Sequence, residues 1–392
     1  MSDGSAVSAS IPSVTGQAYA AARTVSPAVH AYFARYHAEL QGLGERPAAS
    51  LPDIPTIEGM IDAAFWASLR REEGYVPRIS LAFLAPDDTA HPLRFARPLP
   101  LRPQALTRVA PAVERAGIHL GVWPGEHGLY VWGTTHTVPA WCVVLEVAAP
   151  GLLVLKHHRG DESGKFVNVA VLEGDQVKVV EEHGWKLPDC PPLVMSMLGL
   201  CSAAAWNDSS NLLVPLAVSM RAHGRGGLLL VVPAGTDAWQ ESIVWPIPYA
   251  VAPPFSELML LNRAAPDEAR RQPWQEALDR AVAAVAGLTA VDGATLLTSE
   301  YNLLAFGAKI TRRKDRAQVS DVMVTEPIQG AAPAIVGPEQ LGGTRHLSAA
   351  QFVHDQRDSI ALVASQDGRF TIFAWSTAAS TVHAHRIEML LL

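Results

Sequence analysis

Short β-branched and aromatic runs fill the chain from about residue 77 to residue 185, and this pattern limits the fold more than any other feature. Turn sequences such as "PGEHG", "RGDESG" and "EGDQ" separate the runs, as tight hairpin connections require. The runs are "RISLAFL", "IHLGVW", "LYVWG", "WCVVLEVA", "LLVL", "FVNVAVL" and "QVKVV". This part of the chain is therefore predicted to be a β-rich, mostly antiparallel unit.

Two helices are predicted ahead of these strands. Residues 1–50 are rich in Ala, Ser and Pro and are expected to form a tail plus a docking helix, in which Phe33 and Tyr36 recur at helical spacing. Residues 51–74 place apolar side chains on one helical face and end on a glycine stop signal. We therefore expect residues 51–190 to form a helix plus a β-rich, sensor-like unit.

The pattern changes again at "KLPDCPP", residues 186–192, after which helices and short apolar strands alternate. Helices are predicted at about 193–206 and 210–222, followed by the strand "LLLVV" and the amphipathic helix "PWQEALDRAVAAVAGL". Two hairpins follow, one turning at "EYN" and one at "QDG". Residues 191–392 are therefore expected to be an α/β (α+β) domain, with a mixed sheet flanked by helices.

Composition excludes several classes of protein. A net charge of -7 and a pI near 6.1 argue against a DNA or RNA surface and against an anionic membrane surface. Cys142, Cys190 and Cys201 have no zinc-ligand spacing and are expected to be buried thiols in a reducing compartment. The longest uncharged run, "CPPLVMSMLGLCSAAAWN", is too short to span a bilayer comfortably. A cytoplasmic protein is expected.

Common catalytic motifs are absent from the sequence. "GDESGKF", residues 160–166, departs from a Walker loop and is predicted to be a hairpin tip, and there is no GxSxG, HExxH or GxGxxG site. His157 and His158 are predicted to lie in a solvated loop, and His383 and His385 on the surface of a strand. A metal site at either pair is the alternative.

The first stretch whose residues could take part in binding or catalysis is "VDGAT". Asp292 comes directly before Gly293 and Ala294, where a strand is predicted to begin. The structural alternative is an ordinary helix-to-strand turn in which the aspartate caps and the glycine takes a positive φ.

The second stretch is "GGTRH", which opens a predicted helix. Gly343 lets a backbone approach closely, Thr344 offers a hydroxyl, Arg345 a bidentate fork and His346 a further donor. The amides at the start of a helix favour an anion. Anion binding is therefore predicted; the alternative is an exposed loop with a capping threonine.

Taken in order, these stretches resemble a known family. A helix, "VDGATLLTSEYNLLAFGAKI", "GGTRHLSAAQFVHD" and "DSIALVASQDGRFTIFAW" together resemble the diadenylate cyclase (DAC) domain of the DNA integrity scanning proteins, over about residues 193–392. Upstream, "IPTIEGMIDAAFWASLRREEGYVPRISLAFL" and "GLYVWG" resemble the leading part of the divergent relatives described as the DACNV probable sensor domain.

The resemblance implies a nucleotide site. In the cyclase family two ATP molecules meet where two domains face each other, and each 3′-hydroxyl attacks the α-phosphate of the other, so a homodimer is implied. Asp292 would hold Mg²⁺ or Mn²⁺ if the protein is active, beside Gly293 and Ala294. The resemblance assigns the phosphates and the nucleotide pocket to Gly343, Thr344, Arg345, His346, Ser365 and Gln366.

Two departures weaken the predicted catalysis. Leu347 stands where the family has the second arginine of Arg-His-Arg, and Gln366 stands where it has the first glutamate of Ser-Glu-Glu. The leading prediction is therefore a sensor, not an enzyme, that binds ATP or a cyclic dinucleotide. An active diadenylate cyclase that makes cyclic di-AMP and an inactive structural scaffold are the alternatives.

Overall fold

The chain divides into two compact units, Met1–Val180 and Glu181–Leu392. A computed structural model describes residues 18–42, 44, 47–72, 74–158, 166–181, 191, 194, 212–264 and 272–392. The predicted tail, the predicted hairpin tip and the predicted helix at 193–206 lie wholly or largely outside these residues, as do Cys190 and Cys201.

The first unit is built on an eight-stranded sheet with the order β2-β4-β3-β1-β5-β6-β7-β8. All neighbours pair antiparallel except β1 and β3, which are parallel. The predicted β-rich, mostly antiparallel unit is therefore confirmed. The strands and helices of this unit are β1 (Ile79–Phe83), β2 (Leu93–Pro100), β3 (His119–Gly125), β4 (Gly128–Thr135), β5 (Val143–Ala149), β6 (Leu152–His158), β7 (Phe166–Glu173), β8 (Gln176–Val179), α1 (Ala20–Gly42), α2 (Ile54–Ser68) and α3 (Pro103–Val109).

Helices α1 and α2 supply much of the core of this unit. Asp53 caps α2 by accepting a hydrogen bond from the Thr56 amide at 2.9 Å, and Pro55 suits the first helical turn. Ile57 and Ile61 lie on the buried face of α2 and join Leu81 and Leu145 of the sheet in one apolar cluster. The helical spacing of these isoleucines is what directs this face toward the sheet.

The sequence did not predict strand β2 or helix α3. Strand β2 carries Pro98 and Pro100 and is mostly exposed at the edge of its sheet. Proline cannot donate a ladder hydrogen bond, so it is tolerated at an edge but weakens the sequence pattern of a strand.

The solvated loop predicted at His157 and His158 is wrong. Both residues lie on β6, and His157 is buried between aromatic side chains contributed in part by α1. Its ring stacks on Trp141 at 4.2 Å, and its Nε2 lies 3.2 Å from the Tyr32 hydroxyl. Aromatic side chains, some of them from α1, therefore bury the polar end of β6.

The second unit is built on a nine-stranded mixed sheet with the order β10-β12-β11-β9-β15-β16-β17-β13-β14. Its interior strand β9 pairs parallel with β11 and antiparallel with β15. The predicted mixed sheet flanked by helices is confirmed. The elements are α4 (Leu213–Ala222), β9 (Gly227–Val232), β10 (Tyr249–Phe255), α5 (Glu257–Asn262), α6 (Gln272–Leu288), β11 (Ala294–Thr298), β12 (Leu303–Ala308), β13 (Val322–Thr325), β14 (Ala334–Val336), α7 (Thr344–Asp355), β15 (Ile360–Ala364), β16 (Phe370–Ser376) and β17 (Thr381–Arg386).

Helix α7 packs over the middle of this sheet. Its buried Ala349, Phe352 and Val353 belong to one apolar cluster with Leu230 of β9 and Phe373 of β16. Because α7 begins where the glycines of "LGGT" end, this packing fixes the position of the "GGTRH" stretch relative to the strands.

The prediction that His383 and His385 are surface residues is also wrong. They lie on β17, an interior strand between β16 and β13, and both are buried. His385 Nδ1 lies 2.8 Å from the hydroxyl of Thr325, and burial lowers the pKa of His385 to about 3. The sequence did not predict β13, and this strand is what covers the outer side of β17.

Among the described helices, none combines the length and the apolar character that a bilayer span requires.

Candidate functional site

Sheet topology brings the "VDGAT" and "GGTRH" stretches to the same end of the strands in the second unit. Strands β9 and β11 run parallel, so they begin at the same edge. Strands β12 and β15 run antiparallel to them and end there, as the pairs Ala294↔Ala308 and Gly227↔Ala364 record. The Asp292 turn, the end of β12 and the turn after β15 are therefore neighbours in space.

A cavity of about 570 Å³ opens at this end of the strands. The start of α7 closes one side of it, and the strand ends form the rest. The nine site residues predicted from the sequence all line it: Asp292, Gly293, Ala294, Gly343, Thr344, Arg345, His346, Ser365 and Gln366. The remaining lining residues are Leu228, Ala308, Lys309, Ile310, Ser348, Val363 and Ala364.

Close backbone packing explains why a glycine follows Asp292. Gly293 has a φ of +114°, and a Cβ there would lie 2.5 Å from the carbonyl carbon of Gly307. The β12 backbone cannot move aside as a flexible side chain can. The pairing of β11 with β12 therefore requires glycine at this position. This contact sets where the Asp292 side chain leaves the chain.

Asp292 forms an ion pair with Lys309. The Lys309 Nζ lies 2.6 Å from Asp292 Oδ2, and the Asp292 side chain is 91% exposed. The hydrogen bond and the charge of Lys309, together with the more distant Arg345, hold the pKa of Asp292 below its usual range. The carboxylate is therefore ionised and already engaged by a cation.

Lys309 is a site residue that the sequence reasoning missed. It follows the last residue of β12, just as Asp292 precedes the first residues of β11. In a hairpin the start of one strand lies beside the end of the other, and this signal was present in "VDGATLLTSEYNLLAFGAKI".

The start of α7 presents backbone donors to the cavity. Gly343 is the N-cap, and no described side chain caps this helix end. The Gly343 carbonyl accepts from the His346 amide at 3.0 Å, which leaves the amides of Thr344 and Arg345 at the open end of the helix. Thr344 is thus the first helical residue and not the cap that the alternative interpretation assumed.

Arg345 is the cation that the cavity leaves unpaired. No ion pair to its guanidinium is formed by the described residues. Its position depends on Gly226, which has a φ of +72°, because a Cβ there would lie 2.8 Å from the guanidinium. Leu347 is not among the lining residues.

His346 lines the cavity as a buried, neutral group. It is only 5% exposed, and its ring lies edge-on to Phe373 with centroids 6.1 Å apart. Burial, with the charge of Arg386, lowers the pKa of His346. Near neutral pH it therefore offers a hydrogen bond and no charge.

The turn after β15 contributes polar groups but no free carboxylate. The Gln366 amide nitrogen lies 3.4 Å from the Arg225 carbonyl, and Gln366 lines the cavity. Asp367 does not line it; a hydrogen bond from Ser365 and the neighbouring Arg369 hold its pKa low. Asp292 is thus the single carboxylate that the described part of the chain places in the cavity lining.

These donors do not form a metal centre by themselves. No group of three His, Cys, Asp or Glu side chains with the spacing of a metal site occurs within the described ranges. Mg²⁺ and Mn²⁺ prefer several oxygen ligands, and the one carboxylate offered here is bound to an ammonium. The site is therefore better suited to an anion than to a divalent cation.

Comparison with known proteins adds a finding on the first unit. No curated protein matches the chain. Residues 46–136 match one family, and this segment holds α2, α3 and strands β1 to β4. The cavity lies outside the matched segment. The match confirms the resemblance predicted from the α2 and β4 sequences: residues 46–136 are similar to the family described as probable sensor domain DACNV.

Proposed function

We propose that the chain is a nucleotide sensor, in which the second unit binds ATP or a cyclic dinucleotide through its phosphates. The DACNV match at residues 46–136 supports a sensor role. The single observation that indicates the class of ligand is Arg345, which pairs with no described carboxylate and lies beside the open amides of α7 at one cavity. A guanidinium fork and helix N-terminal amides are the donors that proteins use for phosphates.

The dimensions of the cavity suit this ligand. A volume of about 570 Å³ lies within the usual range for small-molecule sites. Gly293, Ala294 and Gly343 have little or no side chain, so a ligand can approach the backbone closely. Leu228, Ile310 and Val363 supply apolar surface, as a site for a base or ribose needs.

Cyclase activity is the second candidate, and Asp292 is the observation that favours it. Its carboxylate is exposed at the cavity, where the resemblance to the DAC family would use it. Against turnover stand the single carboxylate among the described lining residues and Gln366, which lines the cavity where the family has a glutamate. Losing one well-placed transition-state donor costs on the order of a hundredfold in rate.

A binding measurement on purified protein tests the proposal. Calorimetric titration with ATP and with cyclic di-AMP should give saturable binding to the wild type. Arg345→Ala should weaken it by about ten- to a hundredfold, since a hydrogen-bonded charge contributes roughly 1.5–3 kcal/mol. Arg357→Ala is the matched control: Arg357 lies just beyond the other end of α7, over the Trp375 ring at 3.9 Å.

Product analysis separates the sensor from the cyclase. After incubation with ATP and Mn²⁺, the sensor leaves ATP unchanged, and a denatured extract of the protein releases any retained nucleotide. A cyclic dinucleotide that forms with the wild type and is lost in Asp292→Asn would establish the enzyme instead. Equal binding by wild type and Arg345→Ala would contradict the proposed phosphate contact.

A further inference from the structure

The Asp292 carboxylate, where a bound cation would be expected, already forms an ion pair with the Lys309 ammonium. Lys309 Nζ lies 2.6 Å from Asp292 Oδ2, and both side chains line the cavity. Lys309 is about half exposed, with a side-chain exposure of 52%, so its ammonium can still donate to a ligand. An ammonium has three donors, and the carboxylate uses one of them.

The backbone of Lys309 is held from both sides. Its carbonyl accepts from the Val244 amide at 2.8 Å, and the next residue, Ile310, forms a bridge to Ile243. The preceding Ala308 pairs with Ala294 on β11. The Lys309 side chain therefore starts from a fixed backbone position next to the Asp292 turn. The pairing of β11 with β12 brings the two side chains together.

A divalent ion at Asp292 would have to share the carboxylate with this ammonium. Both would compete for one carboxylate, and like charges at contact distance repel. Among the described residues that line the cavity, no second carboxylate compensates. With Lys309 present, the charged lining groups are one anion, Asp292, and two cations, Lys309 and Arg345. The cavity is thus already positive without a metal.

We propose that Lys309 takes the part of a divalent cation in this cavity, so that Lys309 and Arg345 bind the ligand's phosphates without metal. This inference rests on the proposed function, because it specifies how the same cavity holds the same class of ligand. In it, Asp292 is a positioning residue that holds the Lys309 ammonium and makes no contact with a metal.

Calorimetric titration with ATP, in EDTA and in Mn²⁺, tests the inference. The wild type should bind equally well, within about threefold, in both buffers. Lys309→Met should bind about ten- to a hundredfold more weakly in EDTA, as expected for one lost charged contact. Mn²⁺ should recover part of that loss, because the freed Asp292 carboxylate can then hold a metal-nucleotide complex. Lys309→Arg should retain most of the metal-free binding.

A matched control comes from the other end of the same hairpin. Arg263 forms an exposed ion pair with Glu300 in the β11–β12 turn, with a nitrogen-oxygen distance of 3.1 Å, and does not line the cavity. Arg263→Met should therefore leave ATP binding unchanged in both buffers.

Asp292→Asn distinguishes positioning from metal binding. If Asp292 positions Lys309 and contacts no metal, Asp292→Asn should change ATP binding by the same factor in EDTA and in Mn²⁺, because no metal contact is lost. Binding that EDTA abolishes in the wild type, or a Lys309→Met variant that binds normally in EDTA, would overturn the inference and leave the proposed function standing. No binding of ATP or cyclic di-AMP by the wild type in either buffer would overturn both.

Discussion

Replacing Gly293 by alanine is the change for which the structure gives the clearest magnitude. The added Cβ would lie 2.5 Å from the carbonyl carbon of Gly307, 2.7 Å from its oxygen and 2.9 Å from the oxygen of Ala308. All three atoms belong to the backbone of one β-strand end. The clash can therefore be relieved only by separating the start of β11 from the end of β12.

Two costs add at this position. Gly293 has a φ of +114°, and a residue with a Cβ in the left-handed region costs about 1–2 kcal/mol. Forcing an extra methyl group into a packed site costs about 1–3 kcal/mol more. We expect Gly293→Ala to lower the free energy of unfolding of the second unit by about 2–5 kcal/mol.

Gly235→Ala separates the two costs. Gly235 also has a positive φ, +76°, but no atom lies within 4 Å of the Cβ position. It should show the conformational cost alone, about 1–2 kcal/mol. The difference between the two variants, about 1–3 kcal/mol, is then the contact between the strands.

The assay is urea unfolding followed by hydrogen exchange and mass spectrometry of peptides from the second unit. With a urea dependence of about 2 kcal/mol per molar, the midpoint of Gly293→Ala should lie about 0.5–1.5 M below that of Gly235→Ala. Gly293→Ala should also lose ATP binding, because the Asp292 turn moves. Equal midpoints for the two variants would refute the close-packing explanation.

Two further predictions concern the first unit. Burial, with the nearby charge of Lys156, lowers the pKa of His119 from 6.5 to about 4, so protonation opposes folding. The stability contribution is complete above about pH 6.5 and is lost as the pH falls toward 4, by up to about 3 kcal/mol; urea midpoints at pH 7 and pH 5 measure it, and His119→Gln should reduce the difference. Gly121→Ala would place a Cβ 2.0 Å from the Trp132 ring, whose Nε1 donates to the Leu84 carbonyl at 2.7 Å. It should cost about 3 kcal/mol and lower the melting temperature, and an unchanged melting temperature would contradict the contact.

The elements with strong local patterns could be predicted from the sequence. Helix α2 has an apolar face and a capping aspartate, and the hairpin of β15 and β16 has two apolar runs around "QDG". Of the strands that were missed, β2 and β10 contain prolines and lie at sheet edges. Edge strands keep little of the apolar alternation on which such predictions depend.

The sequence by itself also identified nine of the residues that line the cavity. In the "VDGAT" and "GGTRH" stretches the functional residues are adjacent in the sequence, so each motif can be recognised without the fold. Only the tertiary structure decided their partners: Lys309 on Asp292, Gly226 under Arg345, and aromatic neighbours around His157. Those contacts join residues far apart in the chain, and the order and register of strands in a sheet bring them together.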